Sequence, residues 1–165
     1  MTPGKNKNSS KKTGDDDRFR DIARNRRAFF EYEILERFEA GIALVGTEVK
    51  GLRDRGASIV DAWVSIRDGE AWLMKATIHE YANAGYARHE PQRDRKLLLH
   101  RRELDKLQAQ LAERGLSLIP LRMYFKDGRA KLELGLARGK TLHDKRRTVV
   151  ERETRREAAR AMKRG

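Results

Sequence analysis

Cysteine is absent from this chain of 165 residues, which excludes a disulfide scaffold, thiolate metal sites and a cysteine nucleophile together. Long apolar runs are missing as well. No stretch approaches the roughly 18–20 residues that span a bilayer, and the Lys-rich start lacks the apolar segment of a secretory signal. No glycine-rich phosphate loop is present. Gly139-Lys140-Thr141 has the closing triplet, but Leu134 stands where the opening glycine belongs. His79-Glu80 and His89-Glu90 resemble the start of a zinc-protease helix, yet neither has the second histidine. Carboxylate pairs such as Glu31/Glu33 recur at strand spacing and read as a solvated strand face. The sequence therefore predicts no catalytic residues, no metal and no cofactor.

Basic charge is what the chain has in excess, net +13, and it is unevenly spread. Residues 1–27 carry +5, residues 28–137 carry +1, and residues 138–165 carry +7. A nearly neutral body with two basic ends suits a polyanion, either nucleic acid or an acidic membrane surface. Basic groups also recur beside apolar strand ends. Arg24–Arg27 run into Phe29-Phe30, and Arg93, Arg95, Lys96, Arg101 and Arg102 flank Leu97-Leu98-Leu99. RNA is bound by that mixture of phosphate-seeking charge and surfaces on which unpaired bases stack.

Three regions follow. Residues 1–21 read as a disordered arm, with so little apolar surface that ordering is not offset. Asp15–Asp17 are placed to cap a short helix through Arg27. Residues 22–137 read as one domain of strands. Trp63–Ile66 and Ala71–Met74 flank Asp68-Gly69, and Leu118–Phe125 and Ala130–Ala137 flank Asp127-Gly128, both hairpin signals. Ala40-Gly41 suggests a third turn. Leu132, Leu134 and Leu136 alternate with Glu133 and Gly135, as in a half-buried strand. His100–Arg114 places Leu104, Leu107 and Leu111 at helical spacing and ends at Gly115, and a short helix fits Glu48–Arg53. The class expected is all-β with added helices: an OB-fold-like, six-stranded antiparallel barrel with about three helices and disordered basic tails. Residues 138–165 are rich in helix formers, with Val150, Thr154, Ala158 and Met162 spaced by four, a stripe too weak to dock firmly. The tail is expected to be disordered when free and helical against a polyanion.

Several long motifs, in one order, resemble the small protein B family, the SsrA-binding proteins of bacteria. They are NRRAFFEYEI (25–34), FEAGIALVGTEVKGLR (38–53), DAWVSIRDGEAWL (61–73), RDRKLLLHRREL (93–104) and LARGKTLHDKR (136–146). The resemblance covers roughly residues 22–165. It implies an OB-type barrel that binds the tRNA-like domain of tmRNA (SsrA RNA) and, with elongation factor Tu and alanyl-tmRNA, delivers it to ribosomes stalled in trans-translation. It implies a cytoplasmic monomer with no membrane contact. Asn25, Arg26, Glu39, Lys50, Arg95, Lys96 and Leu98 are then candidate tmRNA contacts. Glu39, an acceptor when ionised, would take hydrogen bonds from a base or ribose. Leu98 is open to a second reading as plain core. Lys140, His143, Asp144, Lys145, Arg146 and Met162 are candidate ribosome contacts, with His143 stacking in the decoding centre and the tail helix entering the empty mRNA channel. Thr141 stands where the family usually has a second lysine, Thr154 where it often has tryptophan, and Ala161 where it has an aliphatic residue. A general ribosome-associated or initiation-factor-like RNA binder is the alternative, and an RNA-hydrolysing enzyme with carboxylates as acid and base is the remaining class.

Overall fold

The computed structural model describes residues 18–85 and 88–164. The expected caps at Asp15–Asp17 and most of the N-terminal arm lie outside these residues. Among the described residues there are nine strands and four helices. They are β1 (Phe19–Arg24), α1 (Arg26–Glu31), β2 (Tyr32–Ile42), α2 (Gly46–Asp54), β3 (Ala57–Ser58), β4 (Trp63–Arg67), β5 (Glu70–Met74), β6 (Thr77–Ile78), β7 (Arg95–Leu98), α3 (Arg101–Leu111), β8 (Leu116–Lys126), β9 (Arg129–Gly139) and α4 (Leu142–Arg164).

Six strands pair in a ring, β8–β4–β5–β7–β2–β9, which returns to β8, every pairing antiparallel. Two joints are thin: β4 meets β8 at Val64 and Leu118, and β2 meets β7 at Gly41–Leu98 and Ile42–Leu97. The sheet thus curls into a barrel-like ring that is continuous along its long strands and barely joined at these seams. β1 adds outside the ring along β8, and β3 and β6 form a separate pair. Both Asp-Gly hairpins form as expected. Asp68, Gly69, Asp127 and Gly128 all have positive φ, the twist that a two-residue hairpin turn needs.

The interior is filled by alternate residues: Ala40 and Ile42 on β2, Leu97 on β7, Leu118 and Met123 on β8, and Leu132, Leu134 and Leu136 on β9. α3 seals it with Leu107, which is fully buried, while Leu104 and Leu111 pack at the edge of the same core. That is the stripe read from its spacing.

Two expectations change. The helix expected to end at Arg27 is a strand, β1, followed by α1. Phe19–Arg24 lies along the otherwise open edge of β8, and the helix start is displaced to Asn25, whose side chain accepts from the Ala28 N–H at 3.3 Å. Ala40-Gly41 is not a turn, because β2 runs straight through it. Gly41 is there for close approach: a Cβ on it would lie 3.3 Å from the Leu98 Cβ. The apolar run after it becomes a loop and α2, so two of the three expected hairpins exist. Within the tail, Leu142–Arg164 form one continuous helix, α4. None of its residues is buried.

Candidate nucleic-acid interface

The period of two that buries Ala40 and Leu132 turns their neighbours outward, and the register shows which outward residues meet. Gly41 pairs with Leu98 on one side and with Lys131 on the other, and Lys131 pairs with Tyr124. One row therefore crosses four strands, Leu98–Gly41–Lys131–Tyr124, with Glu39 two residues back on β2. Leu98 is 55% exposed, which rules out the reading of it as core. Glu39 and Leu98, 59 positions apart in sequence, share this face.

Glu39 is held from two sides. The Tyr124 hydroxyl donates to its Oε2, and Lys126 Nζ lies 3.2 Å from Oε1 and 3.4 Å from Oε2. The hydrogen bond from Tyr124 outweighs the effect of burial and, with Lys126 and Lys131 nearby, keeps the carboxyl below its ordinary range. Burial first, and then the hydrogen bond to Glu39, push the Tyr124 phenol up, so it remains a donor. Phe19 stacks at a tilt on Tyr124, with ring centroids 5.9 Å apart, and Lys126 Nζ sits 5.6 Å from the Phe19 centroid. Two shallow depressions flank the row. Glu39, Lys126 and Asp127 line one, Gly41, Leu98 and Phe125 line the other, and Arg129 and Lys131 border both.

Other expected contacts lie elsewhere. Arg95 is fully buried. It pairs with the equally buried Glu48 and donates to the Ala76 and Arg93 carbonyls at 2.9 Å and to that of Pro91 at 3.0 Å. With no exposed surface it cannot reach a phosphate, and that expectation is corrected: Arg95 is an internal clamp between α2 and β7. Glu48 also accepts from Arg93 and from the Val45 N–H. Burial raises the Glu48 pKa, but these hydrogen bonds and the one from Arg95 hold it lower than usual. Asn25 is also buried, its amide donating to the Pro120 carbonyl at 3.0 Å while it caps α1. Its direct contact with RNA is likewise corrected to a structural one, because both ends of the amide are engaged internally. Lys96 pairs with Glu70 at 2.8 Å, Lys50 lies over the Tyr81 ring at 5.8 Å, and Arg26 is exposed on α1.

The base of α4 is tied to α1. The Lys140 N–H donates to the Glu31 carbonyl at 2.9 Å, and Lys140 Nζ donates to the Phe29 carbonyl at 3.0 Å and to Thr148 Oγ1 at 2.7 Å. Lys145 Nζ lies 6.0 Å from the Phe30 ring centre. Thr141 caps the helix. Its Oγ1 accepts from the Asp144 N–H at 3.3 Å, and Asp144 in return takes both the Thr141 hydroxyl and its N–H. These two hydrogen bonds from Thr141 lower the Asp144 pKa. The residue that departs from the family pattern thus ends the loop and starts the helix. His143 and Arg146 are exposed beside this cap, and Met162 is 85% exposed near the far end.

Phe19, Arg129 and Lys131 escaped the sequence reading, in which Tyr124-Phe125-Lys126 stands only as an aromatic and basic strand end. The signal was present: counting back from Asp127-Gly128 pairs Tyr124 with Lys131 directly.

Known proteins resemble this chain over most of its length. The family model described as SmpB protein matches residues 22–164. An SsrA-binding protein of Oleidesulfovibrio alaskensis is 54% identical over 143 residues, covering 84% of this chain and 92% of that protein. One from Mycobacterium ulcerans is 52% identical over 141 residues, covering 86% and 84%. A solved structure described as "tmRNA-SmpB: a journey to the center of the bacterial ribosome" superposes with a TM-score of 0.61 at 48% identity, covering 72% of this chain and 84% of that one.

Proposed function

Since the chain belongs to the SmpB protein family, we propose that it is the RNA-binding adaptor that carries tmRNA to stalled ribosomes for trans-translation. The observation that carries this reading is the row on the outer face from Leu98 through Gly41 and Lys131 to the covered Tyr124, with Glu39 beside it: a strand-built face offering an apolar surface, an ionised acceptor and cations together. Glu39 and Leu98 are its RNA contacts, supported by exposure and shared register, and Lys50, Lys96 and Arg26 supply phosphate contacts around it. Asn25 and Arg95 act through the shape of the barrel.

The exposed helix α4 is the ribosome-facing element. Its base, with Lys140, His143, Asp144, Lys145 and Arg146, enters the decoding centre of the small subunit, and its distal part with Met162 lies in the empty mRNA channel. The protein works as a monomer in the cytoplasm, hands alanyl-tmRNA over with elongation factor Tu, and binds without catalysing a reaction. No helix among the described residues is long and apolar enough to cross a membrane.

Competition binding tests the reading. Near physiological salt, where counterion release no longer lets every basic protein bind every RNA, the protein should prefer the tRNA-like domain of tmRNA over alanine tRNA. The preference should shrink for Glu39→Ala. Equal binding of both RNAs would overturn it in favour of a general ribosome-associated RNA binder.

A further inference from the structure

The Glu39 carboxylate is oriented from one side by Tyr124, and its open side is chemically specific. A carboxylate has about four lone-pair positions. Tyr124 takes one on Oε2, and Lys126 spans both oxygens at 3.2 and 3.4 Å, long contacts that an exposed ammonium can exchange for a phosphate. Once Lys126 turns to phosphate, each oxygen presents an open lone pair, side by side and oriented by Tyr124. Among the four RNA bases, guanine alone has two adjacent donors on its Watson–Crick edge, N1–H and N2–H. Adenine and cytosine set one amino group next to a ring-nitrogen acceptor that the second oxygen would repel. Uracil has a single N–H between two carbonyls. Phe19, 45% exposed and adjoining Lys126, gives the ring of such a base an apolar face, and Arg129 and Lys131 stand where the neighbouring phosphates would lie.

We propose that Glu39, oriented by Tyr124, reads one unpaired guanine of the bound RNA through its N1–H and N2–H. Tyr124 is a positioning residue: it does not touch the base, but it fixes the direction of the carboxylate. This inference rests on the tmRNA reading and narrows it from an RNA shape to a single base identity.

The test replaces the unpaired guanosines of the tRNA-like fragment one at a time with inosine, which lacks the 2-amino group, and measures binding to the full-length protein near physiological salt. At one position, inosine should weaken the wild-type protein about tenfold and leave Glu39→Gln almost unaffected. Tyr124→Phe, which retains the carboxylate but loses the orienting donor, should show a smaller inosine penalty than wild type. Thermal melting of both variants checks that the barrel is intact. If no inosine position weakens wild-type binding, or if the penalty is the same in Glu39→Gln, the guanine assignment is overturned while the tmRNA preference stands. If the wild-type protein shows no preference for the fragment over alanine tRNA, the adaptor reading fails and this inference falls with it.

Discussion

The barrel and α4 hold almost opposite solutions to the problem of binding RNA. Residues 28–137 are close to neutral, at +1, and bury a continuous core. Residues 138–165 carry +7, and α4 buries nothing. A body with its own core can present Glu39, Lys131 and Leu98 at fixed spacing, and so it can discriminate between RNA shapes. A helix without a core has only charge, a cap and a short tether to α1, so its affinity is salt-sensitive and its shape depends on what surrounds it.

The sharpest way to break the contrast is at the buried ion pair. Glu48→Ala leaves Arg95 buried and uncompensated, and should cost the barrel about 3–5 kcal/mol, read as a lower midpoint in a urea melt followed by Trp fluorescence. The same pair sets an acid limit. The folded value of Glu48 lies below the ordinary 4.5 of an unfolded chain. Its contribution is therefore complete above that value and is lost as pH falls through the folded one. Wild type should lose stability more steeply than Glu48→Gln in that acid window.

A smaller loss is expected at Asn25→Ala, which removes the cap of α1 and leaves the Pro120 carbonyl without its donor. About 1–2 kcal/mol of barrel stability should go, and RNA affinity should fall only as the fold does. A drop in affinity with an unchanged melting temperature would mean that Asn25 touches RNA directly. Smallest of all, Thr141→Ala should cost α4 about 1 kcal/mol and the barrel nothing, visible as lost helical circular dichroism without a change in the main transition. A peptide of residues 139–165 alone should show little helix in buffer, because the ties of Lys140 and Lys145 to α1 are then gone.

Local pattern carried most of the fold. The Asp-Gly turns, the alternation of Leu132, Leu134 and Leu136, and the leucine spacing of α3 all sit in short windows and were legible. β1 was not, because what makes Phe19–Arg24 a strand is the exposed edge of β8, about a hundred residues away. Gly41 misled for a related reason: its missing side chain serves the approach of Leu98, a contact across strands, although glycine locally signals a turn. The site divides in the same way. Charge and family motifs singled out Glu39, Leu98 and the base of the tail. Arginine in a basic cluster, though, carries no mark of burial, and so Arg95 was mistaken for a surface contact when it is the partner of Glu48. Tyr124 and Lys131 become site residues only through register.

The most direct measurement of the division between the two regions is deletion of residues 139–165, with tmRNA-fragment binding and tagging on stalled ribosomes measured side by side. If barrel and helix are independent, affinity for the fragment near physiological salt should change by no more than about twofold, and tagging should be abolished. A tenfold loss of affinity, about 1.4 kcal/mol, or tagging that survives the deletion, would contradict the assignment of RNA recognition to the barrel and ribosome engagement to α4.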